Sequence, residues 1–93
     1  MPVGVLILEI QLPYSRSLKD KRAVLLKIRD RLRSRFNVAI AELDHQDLWQ
    51  QATLGVVSIS NSQLFLESVF QKVLAESENI LGHDVTDYNL EFF

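Results

Sequence analysis

The residues best placed to do chemistry in this chain are cations. Between Ser15 and Phe36 it reads SRSLKDKRAVLLKIRDRLRSRF, which holds nine of the ten Lys and Arg residues against two acids, Asp20 and Asp30, a net of +7. The remainder holds Lys72 and ten acids, a net of −9, so the overall charge of −2 conceals a strongly polarised chain. Clustered cations of this kind attract polyanions and acidic surfaces. The candidate nucleic-acid or anion-binding residues are Arg16, Ser17, Lys19, Lys21, Arg22, Lys27, Arg29 and Arg33. The plainer alternative is a solubilising surface whose charges pair with acids elsewhere in the chain.

The element that must position them is a helix. Leu18, Leu25, Ile28, Leu32 and Phe36 are spaced by 7, 3, 4 and 4, one face of a 3.6-residue period. Ser17 suits the N-cap, where its hydroxyl can accept from an otherwise orphan backbone N–H, and Asp20 at N3 gives a loose capping box. Arg31, Arg33 and Arg35 complement the negative end of the helix dipole. Lys19, Lys21 and Arg22 crowd the positive end, at a cost of about 0.3–1 kcal/mol per exposed charge. A docked anion would reverse that sign, because free N–H groups and cations would all face it.

Other chemistry is thinner. Glu9 and Glu42 lie on expected strands and are a candidate carboxylate pair for acid–base work, although strand-end carboxylates more often face solvent or pair with Arg. Glu42, Asp44, His45 and Asp47 are metal-ligand types, but a polar turn has the same composition and one His gives no recognised spacing. His83, Asp84 and Asp87 are weaker still. There is no phosphate-cradling glycine loop and no Ser nucleophile with an evident partner. No cysteine is present, which excludes disulfides and thiolate chemistry. The expectation is a protein that is not an enzyme and holds no metal and no small-molecule cofactor.

Ninety-three residues make one domain, residues 1–93, and the 47% apolar content is that of an ordinary globular protein. The opening MPVGVLILEIQLP lacks a basic n-region and a small-residue cleavage site, and its apolar run is too short to span a bilayer. A cytoplasmic protein without a membrane partner is expected.

Val3 to Leu12 is predicted as a strand, with Leu6, Leu8, Ile10 and Leu12 on one face and Val3, Val5 and Ile7 on the other. Apolar residues on both faces suit a central strand, and Pro13 ends it. Val38 to Leu43 is predicted as a second strand. DHQDLWQQ follows as a polar loop, or as a hairpin whose second arm begins near Trp49. Thr53 to Ser60 is predicted as a third strand, in which Gly55 marks a bulge or a close backbone approach. Asn61 or Ser62 caps a second helix with Leu66, Val69, Phe70 and Val73 on its apolar face, Leu64 and Leu74 at the flanks and Gly82 as its stop. Asp84 to Phe92 is predicted as an edge strand with Tyr88, Leu90 and Phe92 on one face.

The order β-α-β-β-α-β, with right-handed crossovers, points to an α+β, ferredoxin-like sandwich of four strands with two helices on one face. The first and third strands are expected to be central and parallel. The other sheet face then presents Val3, Val5 and Ile7, a bare patch that suggests a homodimer interface, unless the C-terminal segment or the loop after the second strand covers it.

Four stretches, VGVLILEIQLP, SLKDKR, FNVAIAEL and LWQQATLGVVSIS, resemble the YlxP-like family of small bacterial proteins, domain of unknown function 503. The likeness covers nearly the whole chain. It implies a ferredoxin-like fold and no particular activity. Its hallmark falls on Ser17, Leu18, Lys19, Asp20, Lys21 and Arg22. Relatives are often encoded near ribosome maturation and translation factors, which agrees with an RNA-facing helix.

Cations displace counterions from a phosphate backbone, while specificity comes from bases or shape. The central strands carry no aromatics for stacking, so the sheet mode of an RNA-recognition module is not expected. Trp49 is read as a core residue rather than a stacking platform. The resulting expectation is an RNA-associated protein, with ribosome maturation or translation as its setting and RNA or the ribosomal particle as its partner, that grips structured RNA through its first helix. The competing expectation is a homodimeric protein-interaction module whose basic helix docks on an acidic protein surface.

Overall fold

The computed structural model describes residues 2–93. Strand β1 (Val3–Gln11) leads to helix α1 (Leu18–Arg35), strands β2 (Ala39–Asp44) and β3 (Gln51–Ile59), helix α2 (Gln63–Leu81), a single 3-10 turn (Gly82–Asp84) and strand β4 (Val85–Phe92). The sheet order is β2-β3-β1-β4, and every neighbouring pair is antiparallel. This is the expected ferredoxin-like βαββαβ sandwich. β1 and β3 are central, but they run antiparallel rather than parallel. The reason is directional. The α1 crossover returns the chain to β2 in the direction of β1, and the β2–β3 hairpin then reverses it.

Alternation sorts the strands into two faces. Leu6, Leu8 and Ile10 of β1 and Ala52, Leu54 and Val56 of β3 are buried with Ile28 and Leu32 of α1 and Leu66, Phe70 and Val73 of α2. Gly4 lets the Phe70 ring lie against β1, where a Cβ would collide with the ring. Phe70 also meets Phe92 of β4 edge to face, with centroids 6.2 Å apart. Tyr88, Leu90 and Phe92 face this side, opposite Leu8, Leu6 and Gly4. Leu64, expected at the flank of α2, is left in solvent at 76% exposure, and Phe65 beside it is exposed as well.

The helix termini follow their capping residues. Ser17 Oγ accepts from Asp20 N–H at 3.0 Å. The Asp20 carboxylate reaches back to Arg16 N–H at 3.0 Å, one residue earlier than a Glu would serve. Ser62, not Asn61, caps α2, and Gly82 ends it at φ 58°.

Among the described residues no helix lies over the second face of the sheet. Val3, Val5 and Ile7 stand there beside Ala39, Ala41, Val57 and Ile59, since Val3 pairs with Ile59, Val5 with Val57 and Ala39 with Val57. The C-terminal segment is the edge strand β4 and does not fold across this face. Gly55 is a close approach, as expected: the Leu43 side chain lies over it, 2.7 Å from where a Cβ would sit. No helix among the described residues is long and apolar enough to cross a membrane.

Candidate nucleic-acid interface

The cations of α1, with Arg16 just before it, separate into three groups, Arg29 standing apart from them. Lys21 is the exception to the expected surface: its side chain is 1% exposed. Its ammonium donates to Glu42 Oε2 at 2.8 Å and to the carbonyls of His45 at 2.8 Å, Gln46 at 3.3 Å and Gln51 at 3.3 Å. Four acceptors for three protons leave it no capacity for a ligand. Lys21 is therefore withdrawn from the anion-binding set. It fastens the first turn of α1 to the β2–β3 loop. His45, at φ 65°, occupies the left-handed region, and Asp44 Oδ1 accepts its N–H at 2.7 Å.

The sequence carried a signal for this pair. The apolar stripe of α1 has a gap of seven between Leu18 and Leu25, and Lys21 fills it, three residues after one and four before the other. Val38, Ile40 and Glu42 likewise alternate on one face of the β2 segment. Two opposite charges at inward positions on adjacent elements form a buried pair.

The second group faces α2. Arg31 and Arg35 each pair with Glu76, both at 3.2 Å. The third group comprises Arg16, Lys19, Arg22, Lys27 and Arg33, which are exposed and have no acid within ion-pair distance among the described residues. Arg29 pairs only with its neighbour Asp30, with both side chains largely solvated, and such a pair is worth roughly 0–1 kcal/mol. Lys19, Arg22, Arg29 and Arg33 follow helical spacing on the flank away from α2. Arg22 and Arg29, with Leu25 and Leu26, line a cleft of about 330 Å³ closed on its far side by Ile40, Ala41 and Glu42 of the edge strand β2. Ser17 is half-buried with its hydroxyl engaged as the cap.

Glu9 and Glu42 are not brought together. Glu9 lies on the uncovered sheet face and accepts from Thr53 Oγ1 at 2.5 Å. Glu42 lies on the helix side with Lys21, so the sheet separates the two. Asp84 accepts from the Tyr14 hydroxyl at 2.5 Å. That hydrogen bond, aided by the carboxylate's charge, raises the Tyr14 pKa above its ordinary value. Asp87 accepts Tyr88 N–H. Among the described residues no three His, Cys, Asp or Glu are grouped to hold a metal ion.

Trp49 corrects the expectation of a core residue. It is 53% exposed, with Leu48 beside it at 47%. The loop that carries it is held firmly. Besides the Lys21 contacts, Gln50 Nε2 donates to the carbonyls of Pro13 and Ser15, both at 3.1 Å, and Leu12 N–H donates to the Gln50 carbonyl at 2.8 Å. These bonds bring the Trp49 loop against the turn that leads into Arg16 and the N-terminus of α1. No sequence signal marked this, because long-range hydrogen bonds, not local pattern, hold the loop in place.

Comparison with known proteins agrees with the fold. A family model described as "Protein of unknown function (DUF503)" matches residues 3–90. The uncharacterized protein YlxP of Bacillus subtilis (strain 168) is 46% identical over 77 residues, covering 83% of this chain and 84% of that protein. Among solved structures, SnoaB, described as a cofactor-independent oxygenase from Streptomyces nogalater, superposes with a TM-score of 0.58 at 8% identity, covering 98% of this chain and 90% of that one. The de novo designed protein Ferredog-Diesel gives 0.58 at 13% identity, with 96% and 83% covered. Likeness at such identities concerns the fold alone.

Proposed function

The chain belongs to the DUF503 family, a membership that assigns no activity, and we propose that it is a non-enzymatic RNA-associated protein that grips a structured RNA backbone through the unpaired flank of α1. The observation that carries this reading is the division of the helix cations. Glu76 neutralises one flank, whereas Lys19, Arg22 and Arg33 on the other have no acid partner among the described residues. Unpaired cations at helical spacing suit a run of phosphates, and Lys19 and Arg22 sit beside the N-terminus of α1, whose dipole also favours anions. The ribosomal particle is the partner to test first.

The test is salt-dependent binding of structured RNA. Four phosphate contacts should reduce affinity about a hundredfold between 50 and 200 mM salt, nearer a thousandfold if Arg16 and Lys27 also reach the backbone. Arg22→Glu with Arg33→Glu should abolish most of that dependence. Absence of RNA binding below ~100 μM at low salt, the weak end of non-specific binding, would overturn the reading. Salt-sensitive capture of an acidic protein instead would move the function to protein docking.

A second reading concerns self-association and rests on the uncovered apolar face. A second copy seated on Val3, Val5, Ile7, Val57 and Ile59 would leave both basic flanks pointing outward. β4 contributes Asp87, Asn89 and Glu91 to the same face, so the apolar part is confined to three strands, roughly 14 by 30 Å. That is small beside the ~800 Å² per partner of a standard interface, and the expected dimer is weak and concentration-dependent. Sedimentation should show it at high concentration and lose it with Val57→Lys; a monomer at every concentration would exclude it.

A further inference from the structure

The loop that displays Trp49 is more rigid than a solvent-facing loop needs to be. A lysine has been taken out of water to hold the carbonyls of His45, Gln46 and Gln51, and both amide protons of Gln50 are committed to the β1–α1 turn. What this scaffold presents is a half-exposed indole, and an exposed Trp sacrifices the stabilisation that burying it would bring. Beside it opens a cleft of about 430 Å³ lined by Gln11, Asp47, Leu48, Trp49, Gln50 and Gln51. The volume lies within the ~300–1,000 Å³ range of small-ligand sites. Its chemistry is an aromatic plane and an apolar neighbour surrounded by amides and one carboxylate.

We infer that this cleft takes one unpaired nucleobase, stacked on the Trp49 indole, of the RNA whose backbone the α1 cations hold. The inference rests on the RNA reading above and deepens it. An indole is sequence-tolerant because every base has a π-face. The Gln11 amide can donate and accept along a base edge, Gln51 adds its amide oxygen while its Nε2 is engaged with His45 Nε2 at 3.2 Å, and Asp47 accepts from an exocyclic amino group. Asp47 also repels phosphate, so the backbone must pass on the opposite side of the loop. Arg16 follows Ser15, whose carbonyl Gln50 holds, and Lys19 is in the first turn of α1 that comes next, so these are the cations a backbone on that side would meet. Base on one side and backbone on the other is how single strands are bound where aromatics and cations adjoin. The sheet plays no part, which agrees with its lack of central aromatics.

Trp49 is the single tryptophan of the chain, so its fluorescence reports on the cleft directly. The experiment titrates the full chain at low salt with a short single-stranded oligoribonucleotide and with a blunt RNA duplex of the same length. The single strand should quench Trp49 emission and the duplex should bind without quenching. Trp49→Ala, followed by an end-labelled RNA, should weaken the single strand roughly five- to 150-fold, the worth of one stacked base, and leave the duplex within about twofold. Trp49→Phe should restore much of the loss. Arg22→Glu with Arg33→Glu should weaken both RNAs while leaving the quench at saturation unchanged. Single-strand binding without quenching, and unaltered by Trp49→Ala, would overturn the base site while leaving the backbone reading intact. Failure of both RNAs to bind would overturn both. Equal losses for strand and duplex in Trp49→Ala would mark Trp49 as a structural residue and refute the cleft as a base site.

Discussion

Lys21 and Arg22 are adjacent in sequence and opposite in circumstance. Lys21 is enclosed, with four oxygen acceptors; Arg22 is exposed at the mouth of the cleft between α1 and β2. One hundred degrees of helical rotation separates a structural cation from a candidate ligand-binding one. Charge density along the sequence therefore overstates the working surface, and the phase of each cation relative to the apolar stripe decides its role. The same rule separates Arg31 and Arg35, satisfied by Glu76, from Arg33 between them.

The largest effect that would break this contrast is on stability. Lys21→Ala leaves Glu42 partly buried without its cation and orphans three carbonyls; removing one member of a buried pair costs about 3–5 kcal/mol. Urea denaturation should show a midpoint lowered by a large fraction of total stability. Adding Glu42→Leu to Lys21→Met should recover part of the loss but not all, because the His45, Gln46 and Gln51 carbonyls stay unserved. By contrast Arg22→Glu should change stability by no more than about 0.5 kcal/mol and fall instead on RNA affinity. If Lys21→Ala were as mild as Arg22→Glu, the enclosed and exposed cations would not differ in role.

Much of this was legible in the sequence where local pattern and tertiary role coincide. The two-sided apolar pattern of β1 and β3, the cap at Ser17, the cap of α2 at Asn61 or Ser62 and the stop at Gly82 each follow from a constraint that acts within a few residues, whereas the choice between a bulge and a close approach at Gly55 was settled only by Leu43 across the hairpin. The antiparallel central pair needed a further step, following strand direction through the hairpin. Lys21 and Glu42 were legible in principle, each standing at an inward position of its element, but a charge-based reading outweighed the phase. Trp49 was not legible. Leu48 and Trp49 carry the composition of a core, and only the bonds from Lys21 and Gln50, made across the fold, hold them outward.

A smaller effect sharpens the contrast between the two flanks of α1. Glu76→Gln would release Arg31 and Arg35. The two cations are about half exposed, whereas the Glu76 side chain is only 13% exposed, so the stability change should be about 1 kcal/mol, the upper end for a surface pair, and well below that of Lys21→Ala. If the RNA lies along the β2 flank, its affinity should rise by less than about threefold, because the freed charges stand on the far side and are screened within a Debye length of ~8–10 Å. A tenfold rise, read by the same salt titration, would mean that total potential rather than a defined stripe governs binding.

The smallest effect concerns the second tether at this end of the molecule. Lys21 ties α1 to the β2–β3 loop from inside; Tyr14 ties the preceding turn to Asp84, beside β4, from the surface. The hydrogen bond favours the protonated phenol in the folded state and so raises its pKa. A raised folded-state pKa adds stability that is fully present below the unfolded value and is lost as pH rises through the folded one. Wild type and Tyr14→Phe should therefore differ by a small constant margin at neutral pH, and the margin should vanish as alkaline titration ionises the phenol. Because Tyr14 is 69% exposed, water competes for both partners, and that margin should be far below the loss from Lys21→Ala. Equal losses from the two substitutions would show that burial is not what gives the Lys21 tether its strength.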